Sequence, residues 1–297
     1  MKPFTWRRVH AGRAFGRRYR RCSRLLGMLL AALTVQPWFA PGAFAQSTVA
    51  AGDTETGATI GANEDVLGTT IGDSVTAGGV QNVRSGGVAS STSVGTGGEQ
   101  AIFAGGVAQS TSVGIGGLLV VSSGGAARGA TVDSTGAVSV AAGGVASGTT
   151  VSGGGRIDIS AGGSATRTTV LSGGVDSVAG TDISATLSSG ASQTVSSGGT
   201  ASATTLLGGA QSFIDSGGSA VGANVDGGTL NVSAGANATR TTLGAGGIDN
   251  VAGTDLSARR RRRHVERLVG RCGERKHDQW RQGERRRRWF GNRRGSQ

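Results

Sequence analysis

The sequence predicts an all-β fold, a right-handed parallel β-helix (β-solenoid) of about 19-residue coils. Three observations carry this. Adjacent glycines return on a fixed beat: Gly86-Gly87, Gly105-Gly106, Gly124-Gly125, Gly143-Gly144 and Gly162-Gly163 stand nineteen residues apart. A second series follows eleven residues after each, at Gly97-Gly98, Gly116-Gly117, Thr135-Gly136, Gly154-Gly155 and Gly173-Gly174. The segments between alternate in period two, with Val138/Val140 and Ile157/Ile159 on one face, and no helical stripe runs through residues 80–258. A fixed period in this range marks one unit stacked on copies of itself. Short alternating runs rich in β-branched residues and bounded by glycine turns read as strands.

The chain divides into four segments. Residues 1–45 hold nine basic and no acidic residues, and read as a secretory signal peptide. Arg7 to Arg24 form a positive region, Leu25 to Leu33 an apolar run, and Ala43-Phe44-Ala45 a small-residue cleavage site before Gln46. That order is the signature of an exported protein, and the apolar run is too short to span a bilayer. Cleavage is expected between Ala45 and Gln46. Residues 46–79 lack a clear beat, and TIGANEDVLGTTIGDSV within them looks like an imperfect first coil. A leader or capping role is expected for them, since the end of a solenoid needs a polar outer face.

Residues 80–258 are the repeats. SGGVASSTSVGTGG (85–98), AGGVAQSTSVGIGG (104–117) and AGGVASGTTVSGGG (142–155) share one pattern: small-Gly-Gly, apolar-Ala, two Ser or Thr, Val, Gly-Gly. Glycine pairs meet the positive φ values that tight turns require. Stacked coils sit about 4.8 Å apart, so each inward residue lies on its equivalent in the next coil. That explains Val94, Val113, Val132, Val151 and Val170. The direction in which each Thr and Ser of the paired positions points is not fixed by the pattern. A longer duplication overlies the beat: SATRTTVLSGGVDSVAGTDISA (164–185) returns as NATRTTLGAGGIDNVAGTDLSA (237–258).

These SGGxAxxTxVxxGG units resemble the passenger repeats of AIDA-type autotransporter adhesins of Gram-negative bacteria. The resemblance covers residues 80–258. It implies a surface-exposed β-helical stalk, secreted through a C-terminal outer-membrane barrel and active in adhesion, aggregation or biofilm formation. It further implies host-surface glycoconjugates or like molecules as partners, and O-glycosylation of outward Ser and Thr.

At Arg259 the composition changes in one step. Residues 46–258 carry five arginines against fourteen acids, a net of −9, whereas residues 259–297 carry a net of +12. The whole-chain charge of +12 therefore describes neither. Arginine clusters with Trp280, Trp289 and Phe290 would suit nucleic acid or an anionic membrane. A second account is that the tail is the repeat's own DNA read out of frame. Shifting by one nucleotide turns CGG arginine codons into glycine codons, and over Val269–Arg281 permits a string with glycine pairs placed as in SGGTASATTLLGG (197–209). On that account the tail is non-native and disordered, and the chain is a truncated fragment without its barrel. Such a chain is expected in the periplasm; with a barrel it is expected at the cell surface or outside the cell. The acidic middle offers no nucleic-acid footprint.

Enzymatic chemistry finds no support in the repeats. Residues 46–258 contain no His and no Cys, since Cys22 and Cys272 lie outside them. This removes Ser-His-Asp, Cys-His and histidine-metal arrangements. Acids occur as scattered residues at repeat positions, such as Asp158, Asp176 and Asp182. No Asp follows the glycine pairs in the register of a calcium-binding repeat, and Gly153-Gly154-Gly155 lacks the Lys-Ser/Thr of a phosphate loop. The expectation is no catalytic residue, no metal and no cofactor. Two readings of function stand: an adhesion or aggregation passenger, or a structural spacer without binding activity of its own.

Overall fold

The computed structural model describes residues 46–133 and 135–256, with the backbone of one further strand at Arg259–Arg260. The signal-peptide reading of 1–45, with the Ala45 side of its cleavage site, lies outside the described residues, as does the arginine-rich tail beyond Arg260. Among the described residues there are only β-strands, gathered into three parallel sheets of twelve strands each. Each coil contributes one strand to each sheet. Glu99–Ile102 belongs to the first sheet, Val107–Gln109 to the second and Ser112–Val113 to the third.

Register follows the glycine beat. Val80 pairs with Glu99 and Glu99 with Leu118, nineteen residues on each time. Alternate residues point inward, as strand geometry requires. In the first sheet the second and fourth positions are buried, for example Leu119 and Val121, Val138 and Val140, and Ile157 and Ile159. In the second sheet the middle residue is inward, and it is alanine in most coils: Ala89, Ala108, Ala127, Ala146 and Ala165 are all buried. In the third sheet the second residue is inward, and Val94, Val113, Val132, Val151 and Val170 stack in register at full burial. Each fully buried Val, Leu or Ile contributes about 1.5–3 kcal/mol, so the core is a set of apolar columns along the coil axis.

The two glycines of a pair do different jobs. Gly105 has φ +75°, and its N–H donates to the carbonyl of Gly124 in the next coil at 2.9 Å. The same bond links Gly86 to Gly105 and Gly124 to Gly143, so the first glycines form a ladder of their own. Gly106 is different: a Cβ there would run into the Val83 carbonyl oxygen. The first glycine is needed for conformation and the second for space.

Residues 46–79, although off the beat, are wound onto the same three sheets from Ser47 onward. Some coils are shorter than nineteen residues. Val175 pairs with Ser192, seventeen residues on. The loss falls in the turn between the first and second sheets. There Ala179-Gly180 replaces a four-residue turn such as Ser160 to Gly163. A Cβ on Gly180 would meet the carbonyl oxygens of Ser160 and Gly163, so the tightened corner demands glycine. Leu67-Gly68 and Ala252-Gly253 make the same two-residue turn.

Candidate functional site: an outward hydroxyl column and an inward acid pair

The structure settles the direction of the paired Thr and Ser residues. The first of each pair faces inward: Thr92, Thr111, Thr149, Thr168, Thr204 and Thr241 are buried. The second opens the third-sheet strand and faces outward. Ser93, Ser112, Thr131, Thr150, Thr169, Thr186 and Thr205 occupy that position in seven successive coils, each in register with the next. Ser93, Ser112 and Thr131 are exposed and the later members half-buried. Thr59 and Ser74 extend the column at one end. Asn224 interrupts it before Thr242 at the other. β-Branched threonine suits a pleated strand, and one hydroxyl is presented about every 4.8 Å.

Neutral hydroxyls in a row are weak nucleophiles without a neighbouring base. Among the described residues there is no histidine, and no group of three or more His, Cys, Asp or Glu side chains that would hold a metal ion. The column is therefore suited to receiving a group from another enzyme, or to hydrogen bonding along a carbohydrate.

The interior holds a polar network at the N-terminal end. Gln81 Nε2 lies 3.0 Å from Glu64 Oε2 and 2.9 Å from Asp73 Oδ2. Gln100 Nε2 donates to Gln81 Oε1 at 2.7 Å, and Thr111 Oγ1 donates to Gln100 Oε1 at 2.7 Å. Burial pushes the Glu64 carboxyl up from its ordinary range, against the Gln81 hydrogen bond that holds it down. A buried polar chain is tolerable when each member finds a partner.

Asp158, Asp176 and Asp182, scattered in the sequence, separate into two environments. Asp158 faces outward and pairs with Arg156 at 2.7 Å. Asp176 and Asp182 are both fully buried, one on the first sheet and one on the second, within a single shortened coil. Gln193 Nε2 donates to Asp176 Oδ2 at 2.7 Å, and Thr168 Oγ1 to Asp182 Oδ1 at 3.2 Å. Burial pushes the Asp176 carboxyl well above the ordinary carboxylate range, and the charge of Asp182 adds to it. Asp182 is raised by burial too. Sequence reasoning missed this pair. Its signal is the two-residue turn, which sets the two acids six residues apart where regular coils place Ile157 and Ala165 eight apart. Sealed in the core, the pair cannot flank a glycosidic bond as the carboxylates of a glycosidase do.

On the outside, Arg84 joins Asp65 at 2.9 Å and lies 4.9 Å from the centre of the Phe103 ring. Gln46 and Asn82 also donate to Asp65.

No family model matches the chain, and no curated protein matches it. A solved structure does: the crystal structure of a TibC-catalysed hyper-glycosylated TibA fragment is 33% identical to this chain, covers 73% of it and 89% of the fragment, and superposes with a TM-score of 0.61. The likeness is one of sequence as well as of fold, and the chain belongs to the AIDA-type autotransporter adhesin passengers.

Proposed function

We propose that this chain is exported, cleaved between Ala45 and Gln46, and acts in adhesion or aggregation as a rod whose outward hydroxyl column is an O-glycosylation surface. The observation that carries this reading is the unbroken run from Ser93 to Thr205 on one face of the third sheet. The TibA fragment, of the same family, is hyper-glycosylated by TibC. The partners in this reading are host-surface glycoconjugates or further copies of the passenger.

Co-expression of the full chain with TibC, followed by peptide mass spectrometry, tests the acceptor assignment. Sugar additions are expected on Ser93, Ser112 and Thr131 and absent from the buried Thr92, Thr111 and Thr149. An unmodified chain, or modification of the buried set, overturns it. Display of the passenger on cells through a supplied outer-membrane barrel tests adhesion. Clumping or surface binding is expected, and its absence leaves the spacer reading.

A further inference from the structure

The inward acids of the first sheet follow a rule. EDVLGTTI (64–71), DSVAGTDI (176–183) and DNVAGTDL (249–256) each combine an inward acid on the first sheet, a two-residue turn, and an inward Thr or Asp on the second sheet. In the last two the second inward residue is itself an acid, giving Asp176 with Asp182 and Asp249 with Asp255. Asp176, Asp182 and Asp249 are buried, and Asp255 is half-buried.

Donors and acceptors can be counted at the first pair. Its two carboxyls offer four oxygens. Gln193 serves Asp176 Oδ2 and Thr168 serves Asp182 Oδ1, and the Ile183 backbone N–H also donates to the Asp182 carboxyl. Asp176 Oδ1 and Asp182 Oδ2 are buried and have no donor from any other side chain. In-register neighbours supply no further donor: Asp176 lies beside Ile157 and Gln193, whose amide is already on Oδ2, and Asp182 beside Ala165 and Ala201. The one further charged group acting on the pair is Asp158, on the adjacent strand and already joined to Arg156. A single proton closes the count, because one carboxyl becomes a donor and the other accepts from it.

We propose that the shortened coil at 175–187 is a proton-dependent joint in the rod, closed while Asp176 and Asp182 share one proton and opened when that proton leaves. Losing the proton leaves two like charges facing each other and two acceptors unmet in an apolar core. The direction follows from linkage. The pair holds its proton more tightly folded than unfolded, so its stabilisation is complete below the unfolded value, falls as pH rises towards the folded value and is gone above it. Coils contact only their neighbours, so opening stays local.

Amide hydrogen exchange on the full chain, corrected for the intrinsic pH dependence of exchange and followed from about pH 5 to about pH 8, reads the joint directly. Protection over 175–195 is expected to fall by about tenfold per pH unit while the closed joint keeps the proton that the open one has lost, and to level off once the closed joint releases it, while the apolar coils over 118–151 stay level. Asp182→Asn, whose amide donates permanently to Asp176, is expected to flatten the profile. Equal profiles in the two regions, or a full wild-type slope in Asp182→Asn, overturn the proposal. Restoration of wild-type protection at the alkaline end by calcium chloride also overturns it, because the pair would then hold a cation. Infrared spectroscopy of the unmodified chain provides a readout that needs no variant. A protonated buried carboxyl band must be present in acid and must fade where the fall in protection levels off; its absence in acid sinks the idea.

Discussion

Two stretches of the rod, with two coils between them, share one backbone plan and differ in what they enclose. The coil beginning at Leu118 buries Leu119, Val121, Ala127, Ala130 and Val132. The coil beginning at Val175 buries Val178, Ala185 and Leu187, with Asp176 and Asp182 where the first coil has Leu119 and Ala127. Both keep their ladder bonds: Leu118 N–H donates to Gly98 at 3.1 Å, and Val175 N–H donates to Gly155 at 3.1 Å. Strand pairing is thus supplied by backbone and turns, and the columns inside decide how firmly, and under what conditions, a coil is held.

Substitutions sharpen this contrast. The largest effect is expected for Val138→Asp, which puts a lone acid between Leu119 and Ile157, neither of which offers a donor or a second carboxyl; a loss of about 3–5 kcal/mol is expected from urea unfolding. A much smaller loss would mean that the core admits acids anywhere and that the 176–182 arrangement is nothing special. Asp176→Asn should act in the opposite sense. Its amide supplies the donor that Asp182 Oδ2 lacks, so the variant is expected to gain about 1–3 kcal/mol at neutral pH and little in acid. A smaller gain is expected for Thr135→Gly. Thr135 holds φ +71° at a turn where neighbouring coils have Gly116 and Gly154, and a left-handed non-glycine residue costs roughly 1 kcal/mol. A rise in the thermal midpoint checks it. Arg84→Ala should matter least. The Arg84–Asp65 pair is partly exposed, and loss of pair and ring contact together is expected to cost about 1 kcal/mol or less in the same assay.

The sequence made the coil length, the strand positions and the Val94-to-Val170 column legible because each depends on local alternation and spacing. The direction of the Ser/Thr positions was not legible. Alternation says that Thr92 and Ser93 face opposite ways, but only closure of three sheets into one coil shows which is inside. Asp176 and Asp182 looked scattered because their meeting depends on a deletion in the turn, a feature that a count of acids does not register. The role of the second glycine was hidden for a similar reason. The obstacle at Gly106 is the Val83 carbonyl, which belongs to the preceding coil. Residues 46–79 lack the beat, yet Glu64 pairs with Gln81 and Thr70 with Ala89, so sheet register outlasts the motif that first advertised it.

The Asp176–Gln193–Ser212 file has a further consequence for assembly. A rod of near-identical rungs invites slippage, since a chain that loops out one apolar coil sets Val138 against another Val or Ile and loses little. The polar file forbids that economy. Gln193 donates to Asp176 and accepts from Ser212 at 3.0 Å, each one coil away. Skipping the coil between Ile157 and Gln193 would bring the amide beside an isoleucine with no acceptor to meet it. The buried polar residues thus work as indexing marks, letting a repetitive chain distinguish one rung from the next while it winds.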